Sequence, residues 1–282
     1  MRRRKDNFFF IEYIMPSPIA LITGGSSGIG LALSELLMKE GYHVYSVSRN
    51  PERGPSSTSF TSLKFNLWET DQISSFVENF CDQFGVPDIL INNAGNGAFY
   101  EWDHFPTEEI KKQIDLLFTA PILLCRSFAP LMSKRQHGTI LNLSSLATLY
   151  PLPFMPMYNA GKSALSSFTQ SMMLEYPEFP KFIDFRMGDV RTDFNKSAAK
   201  QEENNRSLNA ECAWCQIEKQ LSESILPKEA AKQIWRSIQK NKSSTCHGGT
   251  LFHSFGLVLF SRLIPQNWII PCIKRWYGIL KK

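Results

Sequence analysis

The stretch IALITGGSSGIGLALSELLMK, residues 19–39, joins an apolar run to a glycine-rich turn and then to a helix-forming segment. The run Ile19–Thr23 predicts a buried strand, and the pattern after the turn predicts a helix beginning near Gly28. Glycines in such a turn let backbone N–H groups approach a pyrophosphate, whose charge is met by the positive end of the helix dipole. The position of this turn, between a first strand and a first helix, predicts a dinucleotide-binding loop; a plain strand-to-helix turn is the alternative.

The rest of the chain alternates apolar runs with segments of helical period, the pattern of repeated βαβ units around a parallel sheet. Further strands are predicted at residues 43–48, 63–66, 89–92, 139–143 and 182–187, and further helices near Thr70, Thr107, Pro156 and Lys228. We therefore expect an α/β protein with a single Rossmann-like, doubly wound parallel sheet. The predicted organisation is an N-terminal extension at 1–15, a catalytic domain at 16–249 with a flexible flap at about 195–224, and a C-terminal tail at 250–282.

Charge and cysteine content exclude several classes of protein. The net charge of +5 is carried by the two ends, which leaves the body slightly acidic and argues against a nucleic-acid groove. Six cysteines without framework spacing favour a reducing, cytoplasmic location. Cys212 and Cys215 form a CxxC that Cys246 and His247 could complete as a zinc set, but a lone CxxC is weak and no metal is predicted.

The N-terminus and the hydropathy of the chain bear on membrane targeting. Residues 1–16, MRRRKDNFFFIEYIMP, have a basic start and a short apolar patch without a cleavage site, so they are a poor signal peptide. The first fourteen residues are either a flexible extension or the product of a start placed too early. No run reaches about 18 apolar residues, so no transmembrane span is predicted.

The end of the second predicted strand bears on which nicotinamide cofactor binds. An acidic residue there would bind the ribose 2′-hydroxyl of NAD, but this chain has Ser48 followed by Arg49. An uncharged residue with an arginine suits the 2′-phosphate of NADP(H). The alternative is that Arg49 is a solvated loop charge.

In these features the chain resembles the short-chain dehydrogenase/reductase family from about Ile19 to Asp193. The motifs that match are TGxxxGxG at Thr23 to Gly30, NNAG at Asn92 to Gly95, and a serine before YxxxK at Tyr158 and Lys162. Asn66 stands where the family often has aspartate against the adenine, and GDVRT at 188–192 where it contacts the nicotinamide amide. The cofactor-binding residues that the resemblance implies are Thr23, Gly24, Ser26, Ser27, Gly28, Ile29, Gly30, Ser48, Arg49, Asn66, Leu67, Asn93, Ala94, Gly95, Tyr158, Lys162, Gly188, Val190 and Thr192.

The same resemblance implies three catalytic residues. Tyr158 would be the general acid that protonates the carbonyl oxygen as hydride arrives, and Lys162 would lower the pKa of Tyr158 and bind the nicotinamide ribose. Family spacing selects Ser145 to steady the substrate oxygen and leaves Ser144 a structural role. Taken alone, Tyr158 and Lys162 are also compatible with an ordinary i,i+4 pair on one helix face.

Two positions depart from the family pattern. Counting from either side places Leu117 where the family has an asparagine that helps hold a proton-relaying water, and leucine can neither donate nor accept a hydrogen bond. Met187 replaces a common proline beside the nicotinamide. We therefore expect an NADP(H)-dependent oxidoreductase acting on a carbonyl or alcohol, with a non-catalytic NADP-binding regulator as the alternative.

The C-terminal tail mixes apolar, aromatic and basic residues. Apolar and aromatic residues are Phe252, Phe255, Leu257, Leu259, Phe260, Trp268, Ile269, Ile270, Ile273 and Trp276, and the basic ones are Arg262, Lys274, Arg275, Lys281 and Lys282. The mixture is typical of interfacial amphipathic helices on anionic lipid. The alternatives are a substrate lid or a dimer contact, and family resemblance favours a dimer or tetramer. Each of these interpretations favours an apolar, lipid-like substrate, and a membrane-surface module is a further alternative.

Overall fold

The computed structural model describes residues 17–279, and its centre is a seven-stranded sheet in which every neighbouring pair is parallel. In chain order the strands, with the small β5 and β8 included, are β1 Ile19–Thr23, β2 His43–Ser48, β3 Phe60–Lys64, β4 Ile89–Asn92, β5 Ala98–Phe99, β6 Thr139–Ser145, β7 Lys181–Met187, β8 Ala199–Lys200 and β9 Ser244–Gly248. The sheet order is β3-β2-β1-β4-β6-β7-β9, while β5 and β8 pair separately. The predicted Rossmann-like, doubly wound architecture is confirmed.

Helices cover both faces of the sheet. They are α1 Gly28–Lys39, α2 Ile73–Phe84, α3 Thr107–Ile114, α4 Ala120–Arg135, α5 Pro156–Glu175, α6 Phe194–Ser197, α7 Leu208–Ser222, α8 Pro227–Gln239, α9 Leu257–Leu263 and α10 Gln266–Trp276. Helices α1 and α8 pack on one face, whereas α2, α4 and α5 pack on the other. Because both faces are covered, the central strands β1 and β4 are almost entirely buried and are apolar up to their last residues, Thr23 and Asn92.

Three predicted boundaries differ from the structure. The third strand runs Phe60–Lys64 and not 63–66, because its parallel register with β2 pairs Val44 with Phe60 and Ser48 with Lys64. Strand β6 continues to Ser145, since the pairing with β7 extends to the Ser145–Met187 pair. The helix predicted near Thr70 starts with a single 3₁₀ turn, and its α-helical part begins at Ile73.

The segment predicted as a flap contains more regular structure than its polar composition indicates. It includes α6, β8 and the fifteen-residue α7, and one side of α7 is buried. The buried side chains are Ala210, Ala213, Trp214 and Ile217. Their helical spacing supplies an apolar face that the charged stretch KQEENNRS obscures in the sequence.

A single helix of the described chain, Thr107–Arg135, has the length and hydropathy of a membrane span. It comprises α3, a π-helical turn at Asp115–Thr119 and α4. Leu124, Phe128 and Met132 on α4 are buried against the sheet. Core helices of this kind pass the same test of length and hydropathy.

Candidate active site

A cleft of about 1180 Å³ lies at the edge where the parallel strands end. In open α/β sheets ligands bind outside the carboxyl ends of the strands, where the loops and helix N-termini converge. Its lining includes most of the predicted cofactor-binding residues, namely Gly24, Ser26, Ser27, Gly28, Ile29, Ser48, Arg49, Asn66, Leu67, Asn93, Ala94, Gly95, Tyr158, Lys162, Gly188, Val190 and Thr192. The predicted residues therefore form one continuous surface.

The glycine-rich turn has the backbone that a close approach to a ligand requires. Gly24 and Gly28 have φ angles of 69° and 52°, values that L side chains rarely adopt. The side chain of Ser27 makes no capping hydrogen bond with any described residue at the start of α1. The first turn of α1 thus presents its N–H groups and positive dipole end to the cleft.

Thr23 and Gly30 lie behind the cleft surface and not on it. The Thr23 hydroxyl accepts hydrogen bonds from the backbone N–H groups of Asn93 and Ala94, both at 3.0 Å. A Cβ atom at Gly30 would lie 2.1 Å from the carbonyl oxygen of Gly24. These two residues hold the loop against the NNAG segment, so the structure gives them a supporting position.

The end of β2 forms the far wall of the cleft. The Arg49 guanidinium lies 4.5 Å from the centre of the Trp68 ring, so Arg49 is held over an aromatic face. The Ser48 hydroxyl oxygen is buried without a hydrogen-bond partner within the described residues. Asn66 accepts a hydrogen bond from the backbone N–H of Trp68 at 3.3 Å. A buried, unpaired hydroxyl beside a held arginine is suited to a polar, anionic ligand group.

Ser145, Tyr158 and Lys162 meet at the opposite end of the cleft. Ser145 ends β6, while Tyr158 and Lys162 lie one turn apart at the start of α5. Ser145 is close enough to Tyr158 to lower the pKa of that phenol, and the Lys162 ammonium donates to the Leu143 carbonyl at 2.6 Å. Ser144 is turned away, because its hydroxyl donates to Asp184 at 2.5 Å.

The electrostatics of this group differ from the prediction. Burial raises the pKa of Tyr158 to about 12; the hydrogen bond with Ser145 lowers that pKa, and the charge of Asp189 raises it. Burial also lowers the pKa of Lys162 to about 8. Desolvation of the phenol dominates, so the pKa of Tyr158 lies above its ordinary value and not below it, and the effect expected of Lys162 on that pKa stays a prediction. At neutral pH Tyr158 is therefore a protonated phenol, the form that can donate a proton.

Leu117 fills the space beside Lys162 with hydrocarbon. It is fully buried within the π-helical turn, between Gly95 and Gly161. A Cβ at Gly161 would lie 2.9 Å from the Leu117 Cβ, so the contact is close. Gln113, one turn earlier, donates to the Asn96 side chain at 2.8 Å, and the Gln113 Oε1 is buried without a partner in the described chain.

Loop 188–193 lines the substrate end of the cleft, and the C-terminal tail packs on the apolar cluster beside it. Tyr158 packs in an apolar cluster with Leu152, Met155, Phe194 and Tyr277. The His253 Nε2 in the tail lies 3.7 Å from a carboxylate oxygen of Asp189. The Tyr150 hydroxyl donates to the Leu257 carbonyl at 2.8 Å, which fixes the start of α9 beside the cleft.

Several residues that line this cleft were not predicted from the sequence. Trp68, Asn96, Asp189 and Asn195 all line it, and so do Leu152, Met155 and Ile217 on the apolar side. Asp189 was inside a quoted motif, so its acidic side chain was a signal available from the sequence. For the zinc alternative, no three His, Cys, Asp or Glu side chains in residues 17–279 converge on one point.

The sequence signature of the short chain dehydrogenase family matches residues 18–203. The chain is 26% identical over 274 residues to a 3-ketodihydrosphingosine reductase of Bacteroides thetaiotaomicron, covering 94% of this chain and 100% of that one. It superposes on a short-chain dehydrogenase from Streptomyces avermitilis with a TM-score of 0.79 at 20% identity, covering 94% and 98% of the two chains. It also superposes on L-sorbose reductase from Gluconobacter frateurii, solved with NADPH and L-sorbose, with a TM-score of 0.67 at 24% identity, covering 82% and 95%.

The site and the comparisons together define the class of protein. The chain belongs to the short chain dehydrogenase family, and it is an oxidoreductase of that family.

Proposed function

We propose that this protein is an NADP(H)-dependent oxidoreductase that transfers hydride between the nicotinamide and a carbonyl or alcohol group of an apolar, lipid-like substrate. The observation that carries the proposal is the meeting of Ser145, Tyr158 and Lys162 at one end of a cleft whose other end is the glycine-rich loop. The cleft volume of about 1180 Å³ exceeds that of an ordinary small-molecule pocket, which suits a dinucleotide and a substrate together.

The residues present fit the cofactor. Gly24 and Gly28 form a cradle whose backbone N–H groups suit the pyrophosphate. Ser48 and Arg49 suit the 2′-phosphate, and Lys162 suits the nicotinamide ribose. Val190 and Thr192 follow β7 and suit the carboxamide.

The bound nicotinamide supplies the hydride to a carbonyl carbon or accepts it from an alcohol. In the direction of reduction, Tyr158 holds the proton at its phenol oxygen and donates it to the substrate oxygen. Ser145 bonds to the same oxygen and stabilises the negative charge that develops there. Lys162 provides a buried positive charge that favours the phenolate left after proton transfer.

The walls around Tyr158 support an apolar substrate. Leu152, Met155, Phe194 and Ile217 line the cleft there, and the buried Tyr277 closes the cluster from the tail. The relative that matches along nearly all of this chain is named for 3-ketodihydrosphingosine, a lipid ketone. We therefore place long-chain ketones first among the substrates to be tested.

Fluorescence titration with NADPH and NADH tests the cofactor assignment. Arg49→Ala is expected to weaken NADPH binding by about tenfold or more and NADH binding far less, because only NADPH offers a phosphate to the guanidinium. Arg126, exposed on α4 outside the cleft, provides the control variant Arg126→Ala. An equal loss of affinity for both cofactors in Arg49→Ala would contradict the 2′-phosphate role.

The alternative function is a non-catalytic NADP-binding regulator or membrane-surface scaffold. The observation in its favour is Leu117, which places hydrocarbon where a polar proton relay would lie. Tight NADPH binding without NADPH oxidation across a broad panel of ketones, aldehydes and diketones would favour this alternative.

We also propose that the tail, in a cytoplasmic protein, contacts an anionic membrane surface. In the described part of the tail, up to residue 279, nine large apolar side chains are exposed: Leu251, Phe252, Phe255, Leu259, Phe260, Leu263, Trp268, Ile270 and Trp276. Arg262, Lys274 and Arg275 are exposed among them, and the sequence from 250 to 282 contains no acidic residue. Aromatic and basic residues together suit the headgroup region of an anionic bilayer.

Packing beside the substrate site and contact with a membrane involve different sides of the tail. Ile273, Tyr277 and Ile279 pack in the apolar cluster that also contains Tyr158, so the inner side of the tail supports the substrate end of the cleft from behind. The exposed aromatic side chains lie on the outer side. A lipid substrate leaving the bilayer would then reach Tyr158 along an apolar path. A homodimer formed through the same surface is the competing arrangement.

A further inference from the structure

Trp68 lines the far wall of the cleft but is not among the residues predicted to bind the cofactor. It lies in the turn that follows β3, and its side chain is partly buried. The Arg49 guanidinium lies 4.5 Å from the centre of its ring, a distance at which a cation is attracted to an aromatic face. Tryptophan gives the strongest attraction of this kind among the aromatic side chains.

Contact with this ring is the one side-chain interaction that the described structure gives to Arg49. The side chain is exposed, and no carboxylate or carbonyl within residues 17–279 pairs with its guanidinium. The N–H donors of Arg49 therefore stay available to a ligand in the cleft. A free arginine would lose rotamer freedom on binding that ligand, and a ring that already holds the guanidinium reduces this cost.

The turn that carries Trp68 is itself held by hydrogen bonds. The Trp68 backbone N–H donates to the Asn66 Oδ1 at 3.3 Å, and the Asn66 Nδ2 donates to the Glu69 Oε1 at 3.2 Å. The Phe65 backbone N–H donates to the Ser48 carbonyl at 3.1 Å, which joins this segment to the end of β2. The ring and the guanidinium are therefore carried by two segments that are bonded to each other.

A second cation also approaches the ring, but it does not face the cleft. The Lys112 Nζ lies 5.9 Å from the centre of the Trp68 ring and forms an ion pair with Glu109 at 3.0 Å. Lys112 does not belong to the cleft lining, whereas Arg49 does. Arg49 is therefore the cation that this ring presents to a ligand.

We propose that Trp68 is a positioning residue that selects NADPH over NADH, because its ring holds the Arg49 guanidinium ready for the 2′-phosphate. This inference rests on the proposed function and deepens it, since the 2′-phosphate role of Arg49 does not by itself involve Trp68. NADH carries a hydroxyl at that position and offers no anion to the guanidinium. Trp68 therefore raises the affinity for one cofactor and leaves the affinity for the other nearly unchanged.

The test measures the dissociation constants of NADPH and NADH by isothermal titration calorimetry, which does not depend on tryptophan fluorescence. In Trp68→Leu the constant for NADPH is expected to rise about fivefold and that for NADH by less than about twofold, as the loss of one cation–π contact implies. The retained NADH affinity shows that the variant is folded. Trp68→Phe, which keeps an aromatic face, should lose only about twofold for NADPH.

Two further comparisons separate positioning from other roles. Trp102→Leu is the matched control, because Trp102 is 62% exposed and is not part of the cleft lining. It should leave both dissociation constants unchanged. A double-mutant cycle combines Trp68→Leu with Arg49→Ala. In the Arg49→Ala background, Trp68→Leu should no longer change the preference for NADPH, because the guanidinium on which the ring acts is gone.

Three results would overturn this inference alone. The first is a Trp68→Leu variant that keeps the parent preference for NADPH while Arg49→Ala loses it. The second is an equal weakening of both cofactors by Trp68→Leu, which would place the ring in a wall that both cofactors share. The third is an undiminished effect of Trp68→Leu in the Arg49→Ala background, which would assign a direct contact to Trp68. If Arg49→Ala itself keeps the parent preference, the proposed 2′-phosphate role fails and this inference fails with it.

Discussion

At the scale of single residues, the chemistry depends on protons held by Tyr158 and Lys162. Burial raises the pKa of the first to about 12 and lowers that of the second to about 8. Tyr158 therefore stays protonated across the physiological range, whereas Lys162 loses its charge just above it. Lys162, whose positive charge favours the phenolate, is therefore the first of the two residues to lose a proton as the pH rises.

The pH dependence of carbonyl reduction follows from the Lys162 pKa. We expect kcat/KM to be level below about pH 7.5 and to fall as the pH passes about 8, because Lys162 is deprotonated there. For this comparison the kcat/KM values of the parent and of Lys162→Arg are each divided by the value at that protein's own low-pH plateau. In Lys162→Arg the fall in kcat/KM should then occur at higher pH, because a guanidinium stays charged there. A parent profile that stays level to about pH 9.5 would contradict this account.

Residue types and spacing predicted which side chains meet at this end of the cleft, but not their electrostatics. Tyr158 and Lys162 lie four residues apart in one helix, and the glycine-rich turn directly joins a strand to a helix. Both patterns are local, so they can be recognised in the sequence. The pKa of Tyr158 depends on burial, on Ser145 and on Asp189, which come from β6 and from the loop after β7. That convergence arises only when the strands pair.

At the scale of elements, a buried polar network joins β7 to β6 and α5, the two elements that carry the proposed catalytic residues. Asp184 on β7 accepts hydrogen bonds from Ser144 at 2.5 Å, from Ser166 at 2.7 Å and from Arg186 at 3.0 Å. Ser144 precedes Ser145, and Ser166 lies one turn beyond Lys162. The network therefore fixes β6 against α5 directly beneath the cleft.

Asp184→Asn is expected to lower the free energy of unfolding by about 3 kcal/mol, because it removes the charge that pairs with buried donors. Urea denaturation followed by circular dichroism measures the change. Asp193→Asn is the control, since the Asp193–Lys196 pair is exposed on the surface and should leave the unfolding curve unchanged. A loss below about 1 kcal/mol for Asp184→Asn would contradict the role of the network.

Element boundaries were predictable where a local signal marks them. Strands β1, β2 and β4 have the bounds predicted from their apolar residues and from the turn residues that follow them. The start of β3 at Phe60 depends on pairing with β2, and the apolar face of α7 depends on packing against Phe99. Both are tertiary effects that local sequence does not contain.

At the scale of the whole molecule, the C-terminal tail is the part of the protein that we propose to contact a membrane. Its inner side packs on the substrate wall, and its outer side exposes aromatic and basic residues. Co-sedimentation with vesicles is expected for phosphatidylcholine mixed with an anionic phospholipid and much weaker for phosphatidylcholine alone.

The double variant Phe255→Glu with Trp268→Glu should reduce vesicle binding by about tenfold or more, because it removes apolar area and adds repulsion from anionic lipid. Leu174 is 86% exposed near the end of α5, at the opposite edge of the sheet, so Leu174→Glu is the matched control. If the parent fails to sediment with anionic vesicles and light scattering gives the mass of a dimer that the double variant loses, the tail is a dimer contact.

The central claim is that Tyr158 donates a proton in a working NADPH-dependent reductase. It is tested most directly by following NADPH oxidation with long-chain ketones for the parent and for Tyr158→Phe, after NADPH affinity has been measured for each. The account predicts oxidation by the parent and a loss of about a thousandfold in Tyr158→Phe, with NADPH still bound. Equal rates in the two proteins would contradict the proton-donor role, and NADPH binding by the parent without oxidation of any carbonyl would contradict the enzyme itself.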